Sequence, residues 1–337
     1  MTTTKGSKNV AAILIYFAVA VVLYVVVPGT SRAYTISVLN GALIYYVACL
    51  GSSVMLGMCG MVSFAATAFM GVGGYASALL SKVYGINSMV SMMLALLITM
   101  VLSLIIGLVL MRLNGTFFTF STVALVQISF SIFNNWKSVT GGPNGLNAIP
   151  PFEMFGFRSD SFLKNYFVLI TICVICALLV LRLRNTTLGR EMSSVRDNEL
   201  AAKIMGVNVY QTKVIAFVIS AMFAGLAGAM MVHNNHFVVS TYFTFDISTT
   251  LIIMIMLGGV NNPIGVFLGT ILITILPEWL RPLQEYIRLV YGLGVMLLMV
   301  FMPMGLWGTF VSIANRIKRR FKLGHKTKIG RAAAREE

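Results

Sequence analysis

The sequence predicts an all-α polytopic membrane protein with about ten transmembrane helices, within a range of eight to ten. Three observations carry that reading. Of 337 residues, 58% are hydrophobic and only 10% are charged, against about 25% charged in a soluble domain. The apolar residues gather in long runs. The acidic residues, of which Glu153 is the first, avoid the middle of every run. A chain of this composition cannot cover itself with a water-facing surface, so its solvent is mostly the lipid bilayer.

A spanning helix needs about 20 mostly apolar residues. Ten runs qualify: 10–27, 37–57, 61–81, 88–112, 115–133, 166–184, 213–232, 247–260, 262–280 and 286–310. The first follows Lys5 and Lys8 and is longer than a signal-peptide core, so it reads as an uncleaved span. The run 247–260 is short, and only Met58-Cys59-Gly60 separates 37–57 from 61–81. Eight spans with additional broken half-helices therefore stay open. Trp136, Trp279 and Trp307 each fall near a predicted helix end, where an amphipathic ring suits the membrane interface. Residues 1–315 form the membrane domain in this reading, and 316–337 form a basic tail suited to anionic lipid.

The net charge is +15. No soluble basic domain exists to hold nucleic acid, so that partner class is excluded. With the N-terminus inside and ten alternating spans, all Lys and Arg except Arg32, Lys82, Lys137, Arg158, Lys164, Arg281 and Arg288 fall on the inner side. The positive-inside rule selects this orientation, with both termini cytoplasmic. It places the segment 185–212 inside and the loop 134–165 outside. That loop carries Thr140-Gly-Gly-Pro-Asn-Gly-Leu146 and Pro150-Pro151, a density of turn residues that fits either a functional loop or a structural cap.

Signatures of bond chemistry are missing. No Gly-Lys dipeptide occurs, so no P-loop can form. His233-Asn-Asn-His236 has metal-pair spacing without further ligands, and polar residues are ordinary beyond a helix end. Cys173-x-x-Cys176 has redox spacing but sits in an apolar run, where it reads as two small buried side chains. No metal and no bound cofactor are expected. The absence of buried carboxylates also argues against a self-powered carrier.

Glycines punctuate the spans instead. Gly57, Gly60, Gly71, Gly73 and Gly74 interrupt the first half; Gly258, Gly259 and Gly265, with Pro263, interrupt the second. Paired interruptions point to a transport path. Gly57, Gly60, Ser63, Gly258, Gly259 and Pro263 are its candidate residues. Ala221/Gly225 and Ala224/Gly228 make two small-xxx-small pairs suited to a tight helix seam. Uncharged polar residues such as Ser52, Thr67, Thr119, Thr122 and Gln127 suit a small neutral or zwitterionic solute, or simply bond to helix carbonyls.

One segment breaks the apolar pattern. "GREMSSVRDNELAAKIMGVNVYQTK", beginning at Gly189, holds Arg190, Glu191, Arg196, Asp197, Glu199, Lys203 and Lys213. Asp197 or Asn198 can cap a helix. Leu200, Ala201, Ile204 and Met205 then share one face, and Gly206 can end the helix in a left-handed conformation. Such a helix suits a groove on a soluble partner or a bed of lipid headgroups.

The segment resembles the cytoplasmic coupling loop of ABC-importer permeases, loosely Glu-Ala-Ala-x-x-x-Gly. This chain has Glu199-Leu-Ala201-Ala202-Lys-Ile-Met-Gly206, with one extra residue after the Glu. "MLGMCGMVSFAATAFMGVGGYASALL", "NGTFFTFSTVALVQ", "NNWKSVTGGPNGL" and "MLGGVNNPIGVFLGTILITILPEWL" add to it in order along the chain. Together they are similar to the branched-chain amino acid ABC permease family, in its second, M-type subunit, from about Asn40 to Gly308. Ala65-Ala66 replaces the Gly-His pair frequent in that family.

The resemblance implies a type II ABC-importer-like permease in a bacterial-type inner membrane. It implies two ATP-binding cassette subunits that use the ATP, a second homologous permease and an extracytoplasmic solute-binding protein. Arg190, Glu191, Arg196, Asp197, Glu199, Ala201, Ala202 and Gly206 are the implied coupling residues. Relatives in the superfamily carry urea, short amides or sugars. A passive channel or a polytopic membrane enzyme is the reading from another class.

Overall fold

A computed structural model describes residues 33–279, apart from 114, 155–156 and 160, together with three isolated positions at 292, 296 and 308. The expected spans at 10–27 and 286–310, and the tail 316–337, lie outside the described residues. The regular structure of the described residues is helical apart from one very short strand pair and an isolated bridge.

Helix α1 runs Ala33–Ser53 and passes into a π-helical turn, Val54–Met58. Helix α2 covers Ala66–Lys82, α3 Ser88–Leu110 and α4 Thr116–Asn135. One turn of helix at Lys137–Thr140 and a 3-10 turn at Gly142–Asn144 then lead to strands β1, Glu153–Met154, and β2, Phe157–Arg158, which pair antiparallel. Helix α5 is Phe162–Arg184, α6 Thr187–Asp197, α7 Glu199–Ile204 and α8 Val209–Asn235. A 3-10 turn at Ser240–Phe243 precedes α9, Phe245–Gly258, and α10, Pro263–Trp279.

Among the described residues, five helices are long and apolar enough to cross a membrane: Ile36–Met58, Ser88–Leu110, Thr116–Asn135, Leu163–Arg184 and Val209–Asn235. Phe245–Gly258 and the start of α10 are apolar but shorter. The expected span 61–81 differs from the structure. Its helix begins at Ala66, because Gly60 turns the chain at φ 76° and residues 60–64 are not helical. The backbone freed there is satisfied by side chains. Thr119 donates to the Val62 carbonyl at 3.2 Å, the Phe64 N–H donates to Thr122 Oγ1 at 3.1 Å, and Ser248 donates to the Phe64 carbonyl at 2.7 Å. Ser248 has only that proton to give, so Thr67 donates to Ser248 Oγ. Irregular backbone inside a membrane protein persists only when its polar groups are met in this way.

The core forms around α8, which packs against α1, α2 and α3. Small residues let backbones touch. A Cβ on Gly228 would overlap the Met70 carbonyl, and one on Gly73 would overlap the Gly225 carbonyl. Phe217 of α8 fills the space beside this seam, with Phe69 at 5.5 Å and Phe118 at 6.3 Å between ring centroids.

The two ends of the bundle differ. At one end Ser88 receives the Glu153 N–H at 2.6 Å, and Leu146 bridges to Val238. Ile149 and Phe152 are buried there. The loop 134–165 therefore packs as a structural cap over the ends of α3 and α8. At the opposite end lie α6, α7 and the breaks around Gly57 and Gly259.

Candidate coupling site and translocation path

The charged segment folds as two helices. Thr186 caps α6 by accepting from the Gly189 N–H at 3.3 Å. Asn198, not Asp197, caps α7: it is extended (φ −160°, ψ 110°), and its side chain accepts from the Ala201 N–H at 3.0 Å. Gly206, at φ 87°, closes α7, with its N–H on the Lys203 carbonyl and the Val207 N–H on the Ala202 carbonyl. The helix expected at 197–206 is thus the second of a pair.

The pair is anchored from one side. Met192 and Val195 of α6 and Ala202 of α7 are buried. Glu199 Oε1 accepts from Lys213 Nζ at 2.6 Å, tying α7 to the first turns of α8. Arg190 bonds the Asn185 carbonyl at 3.0 Å, and Glu191 is half-buried. Leu200, Ile204 and Met205 point the other way, at 69%, 77% and 84% exposed, and Ala201 is exposed with them. Beside them opens a groove of about 1050 Å³ lined by Arg112, Leu200, Lys203, Val207 and Tyr210, among others.

Arg196 does not join that outer face. Asp197 Oδ1 accepts from its Nε and Nη2, at 3.0 and 2.9 Å. This fixes the guanidinium plane and leaves Nη1 aimed into the bundle. Nη1 donates to the Gly57 carbonyl at 2.7 Å and to Asn261 Oδ1 at 3.1 Å. The Gly57 carbonyl lies at the end of the π-helical turn, where a helix carbonyl lacks an intrahelical partner. The Arg196 stem passes over Gly60, where a Cβ would stand 2.6 Å from its Cγ.

The two halves of the candidate path meet at this point. A Cβ on Gly57 would stand 2.5 Å from the Val260 carbonyl, so only glycine admits that approach. Gly259 turns the chain at φ 109° between α9 and α10. Gly258 sits against the backbone of Gly265, in the first turn of α10, which Pro263 begins. Arg184, at the end of α5, donates to the Asn261 carbonyl. Ser63 lies on the extended segment and accepts from the Ala65 N–H at 3.3 Å.

Sequence reasoning placed the coupling residues and the breaks in separate groups. The structure joins them through Arg196. It adds Asn261 and Arg184, which the sequence reading did not single out, and gives Lys213, read only as a charge in the segment, a partner in Glu199. The Asn261-Asn262 pair between apolar helices was the available signal: two side-chain amides have no apolar reason to stand there.

The other clusters resolve as structure. His233 is buried; its Nδ1 faces the Pro150 carbonyl at 2.8 Å, and its Nε2 faces Ser77 Oγ at 2.8 Å. A carbonyl only accepts, so Nδ1 carries the proton and Ser77 donates to Nε2. His236 Nδ1 faces the Ile149 carbonyl at 3.2 Å. Both histidines pin the cap, and no group of three or more metal-ligating side chains occurs among the described residues. Cys173 and Cys176 are free and buried, and the Cys173 thiol points at the Leu43 carbonyl at 3.3 Å.

The chain is similar to the high-affinity branched-chain amino acid transport system permease protein LivM of Escherichia coli (strain K12). They are 28% identical over 315 residues, covering 87% of this chain and 74% of that protein. It is also 28% identical to the LivM protein of Salmonella typhimurium (strain LT2) over 295 residues, covering 81% and 69%. A shorter similarity reaches the L-arabinose transport system permease protein AraH of Escherichia coli (strain K12), 28% over 122 residues, covering 36% and 34%. No solved structure matches the chain. Residues 34–302 match the family described as branched-chain amino acid transport system / permease component, a match over most of the chain, and the protein belongs to that family.

Proposed function

We propose that this protein is a membrane-spanning permease subunit of an ABC importer for the branched-chain amino acids Leu, Ile and Val. Family membership and the similarity to the two LivM proteins support that reading. The subunit works with two ATP-binding cassette subunits, a second homologous permease and an extracytoplasmic solute-binding protein. ATP is bound and hydrolysed by the cassette subunits. The end of the bundle carrying α6 and α7 faces the cytoplasm of a bacterial-type inner membrane, and both termini lie on that side.

One observation carries the docking role. Leu200, Ile204 and Met205 are exposed on a short helix whose opposite side is anchored by Ala202 and the Lys213–Glu199 pair. A helix held this way can seat its apolar stripe in a partner groove and pass a displacement to the bundle. The protein supplies different contacts in two conformations, which is all that coupling requires.

A second reading within the superfamily is a carrier of urea or short amides, raised by the Ala65-Ala66 departure. Ala65 and Ala66 are both buried. The departure therefore changes packing at the start of α2, and the similarity to the LivM proteins favours the amino-acid reading.

The test is purification in mild detergent followed by reconstitution. An ATPase pair and a second permease should co-purify. Proteoliposomes given the binding protein should take up labelled leucine, isoleucine and valine only with ATP. Uptake without ATPase partners would identify a passive channel, and uptake of labelled urea or acetamide in place of leucine would identify the other carrier class.

A further inference from the structure

The helix breaks and the coupling segment lie far apart in sequence, yet one guanidinium spans them. Arg196 Nη1 donates to the Gly57 carbonyl at 2.7 Å on the first break and to Asn261 Oδ1 at 3.1 Å on the second. Asp197 takes the other edge of the same guanidinium through a 2.9 Å ion pair. Gly57 and Val260 are themselves in backbone contact. Arg184, one helix end before the coupling segment, donates to the Asn261 backbone carbonyl. A small cavity of about 20 Å³ lined by Ser53, Met58, Arg184, Val260, Asn261 and Pro263 marks the junction, so packing there is incomplete.

The geometry points to Arg196 as the positioning residue that turns a displacement of the coupling segment into a joint movement of both helix breaks. This inference rests on the importer reading. Physically it needs three things, and each is present. The side chain must be rigid at its root, and α6 is locked by buried Met192 and Val195. Its head must be held in one orientation, which Asp197 does. Its two acceptors must sit on separate elements, and Gly57 and Asn261 do. A planar fork of five donors can engage all three partners at once, whereas a lysine ammonium is a single point charge that cannot reproduce the fork. Loss of the fork unties Gly57 and Asn261 from α6 and leaves only the Gly57–Val260 packing between the two breaks.

The test uses the full chain in two settings, with Arg196→Met, Asn261→Ala, the double variant and Arg196→Lys. In detergent, amide hydrogen exchange should rise in both 54–64 and 258–263 for Arg196→Met and the double variant, and chiefly in 258–263 for Asn261→Ala, which leaves the Arg196–Gly57 bond in place, while the centre of α8 keeps its protection. The double variant should be no worse than Arg196→Met, because Arg196→Met already removes the bond that Asn261→Ala breaks. In proteoliposomes holding the assembled transporter, leucine uptake per ATP hydrolysed should fall about ten-fold or more, the scale expected for losing charge-assisted hydrogen bonds. Arg196→Lys should recover only part of it, and the ATPase subunits should still co-purify.

Unchanged exchange at either break in Arg196→Met overturns the proposal. So does raised exchange with a wild-type ratio of uptake to ATP, because the contact would then be packing alone. A parallel loss of co-purified ATPase would make Arg196 a docking residue and also overturn it. Wild-type uptake that needs no ATPase at all would instead overturn the importer reading, and the exchange data would still decide whether Arg196 ties the breaks together.

Discussion

Lys213 Nζ stands 2.6 Å from Glu199 Oε1, with the lysine side chain 8% exposed and the glutamate 55% exposed. The two partners are therefore not equivalent. Removing the carboxylate strands an ammonium in a buried position, whereas removing the ammonium leaves a carboxylate that water can reach. Glu199→Gln should lower stability by about 1–2 kcal/mol, a value reduced for the exposed partner. Lys213→Met should cost less, and adding it to Glu199→Gln should restore part of the loss. Thermal unfolding midpoints of the detergent-solubilised chain report the order; equal losses from the two single variants would refute the asymmetry.

A glycine in the α2–α8 seam and one on α1 should respond to alanine in opposite directions. At Gly228 a Cβ would overlap the Met70 carbonyl, which is backbone and cannot swing away. Gly228→Ala should destabilise by about 1–3 kcal/mol, the range for forcing extra volume into a packed core. At Gly41 in α1 a Cβ would meet nothing within 4 Å. Gly41→Ala should stabilise by about 0.5–1 kcal/mol through helix propensity. Midpoints moving in opposite directions are the expected result, and a neutral Gly228→Ala would mean the helices separate freely there.

The seam also shows what the sequence can and cannot disclose. Gly225 and Gly228 were legible because the small-xxx-small spacing is local, and a 3.6-residue period places both on one face. The cap at Asn198 and the stop at Gly206 were legible for the same reason: each is a rule about neighbouring residues. Arg196 was legible only as a charge in a charged run. Its acceptors lie 139 and 65 positions away, and no periodicity encodes which face of a surface helix meets a break elsewhere in the chain. The late start of α2 at Ala66 was equally hidden, since Thr119, Thr122 and Ser248 replace the lost helix bonds from distant elements. The packing of loop 134–165 was hidden for the same reason, since it rests on contacts from His233, His236 and Val238 far along the chain.

His233 joins the cap to three helices, so its loss should loosen the cap before the bundle. His233→Phe keeps a ring of similar width but leaves the Pro150 carbonyl without its partner and Ser77 with only Ser91 Oγ, at 3.2 Å. An unmet buried polar group costs about 1–3 kcal/mol. Limited proteolysis should cut within 141–153 faster in the variant, with the α8 fragment staying intact. A cleavage pattern identical to wild type would show that the Leu146–Val238 bridge holds the cap without the histidine.

The outward stripe on α7 separates docking from folding. Leu200 and Ile204 are exposed, so Leu200→Asp and Ile204→Asp should leave the unfolding midpoint within about 0.5 kcal/mol of wild type, as surface changes do. They should remove the ATPase subunits from the purified complex, because a charge placed in an apolar groove is stranded without water. Ala202, on the same helix but 3% exposed, should behave in reverse: Ala202→Asp puts a carboxylate into the core and lowers stability directly. Measuring midpoint and co-purification together for all three variants distinguishes the two effects. If Leu200→Asp and Ile204→Asp keep a full complement of ATPase, the stripe rests on lipid headgroups instead of a protein groove.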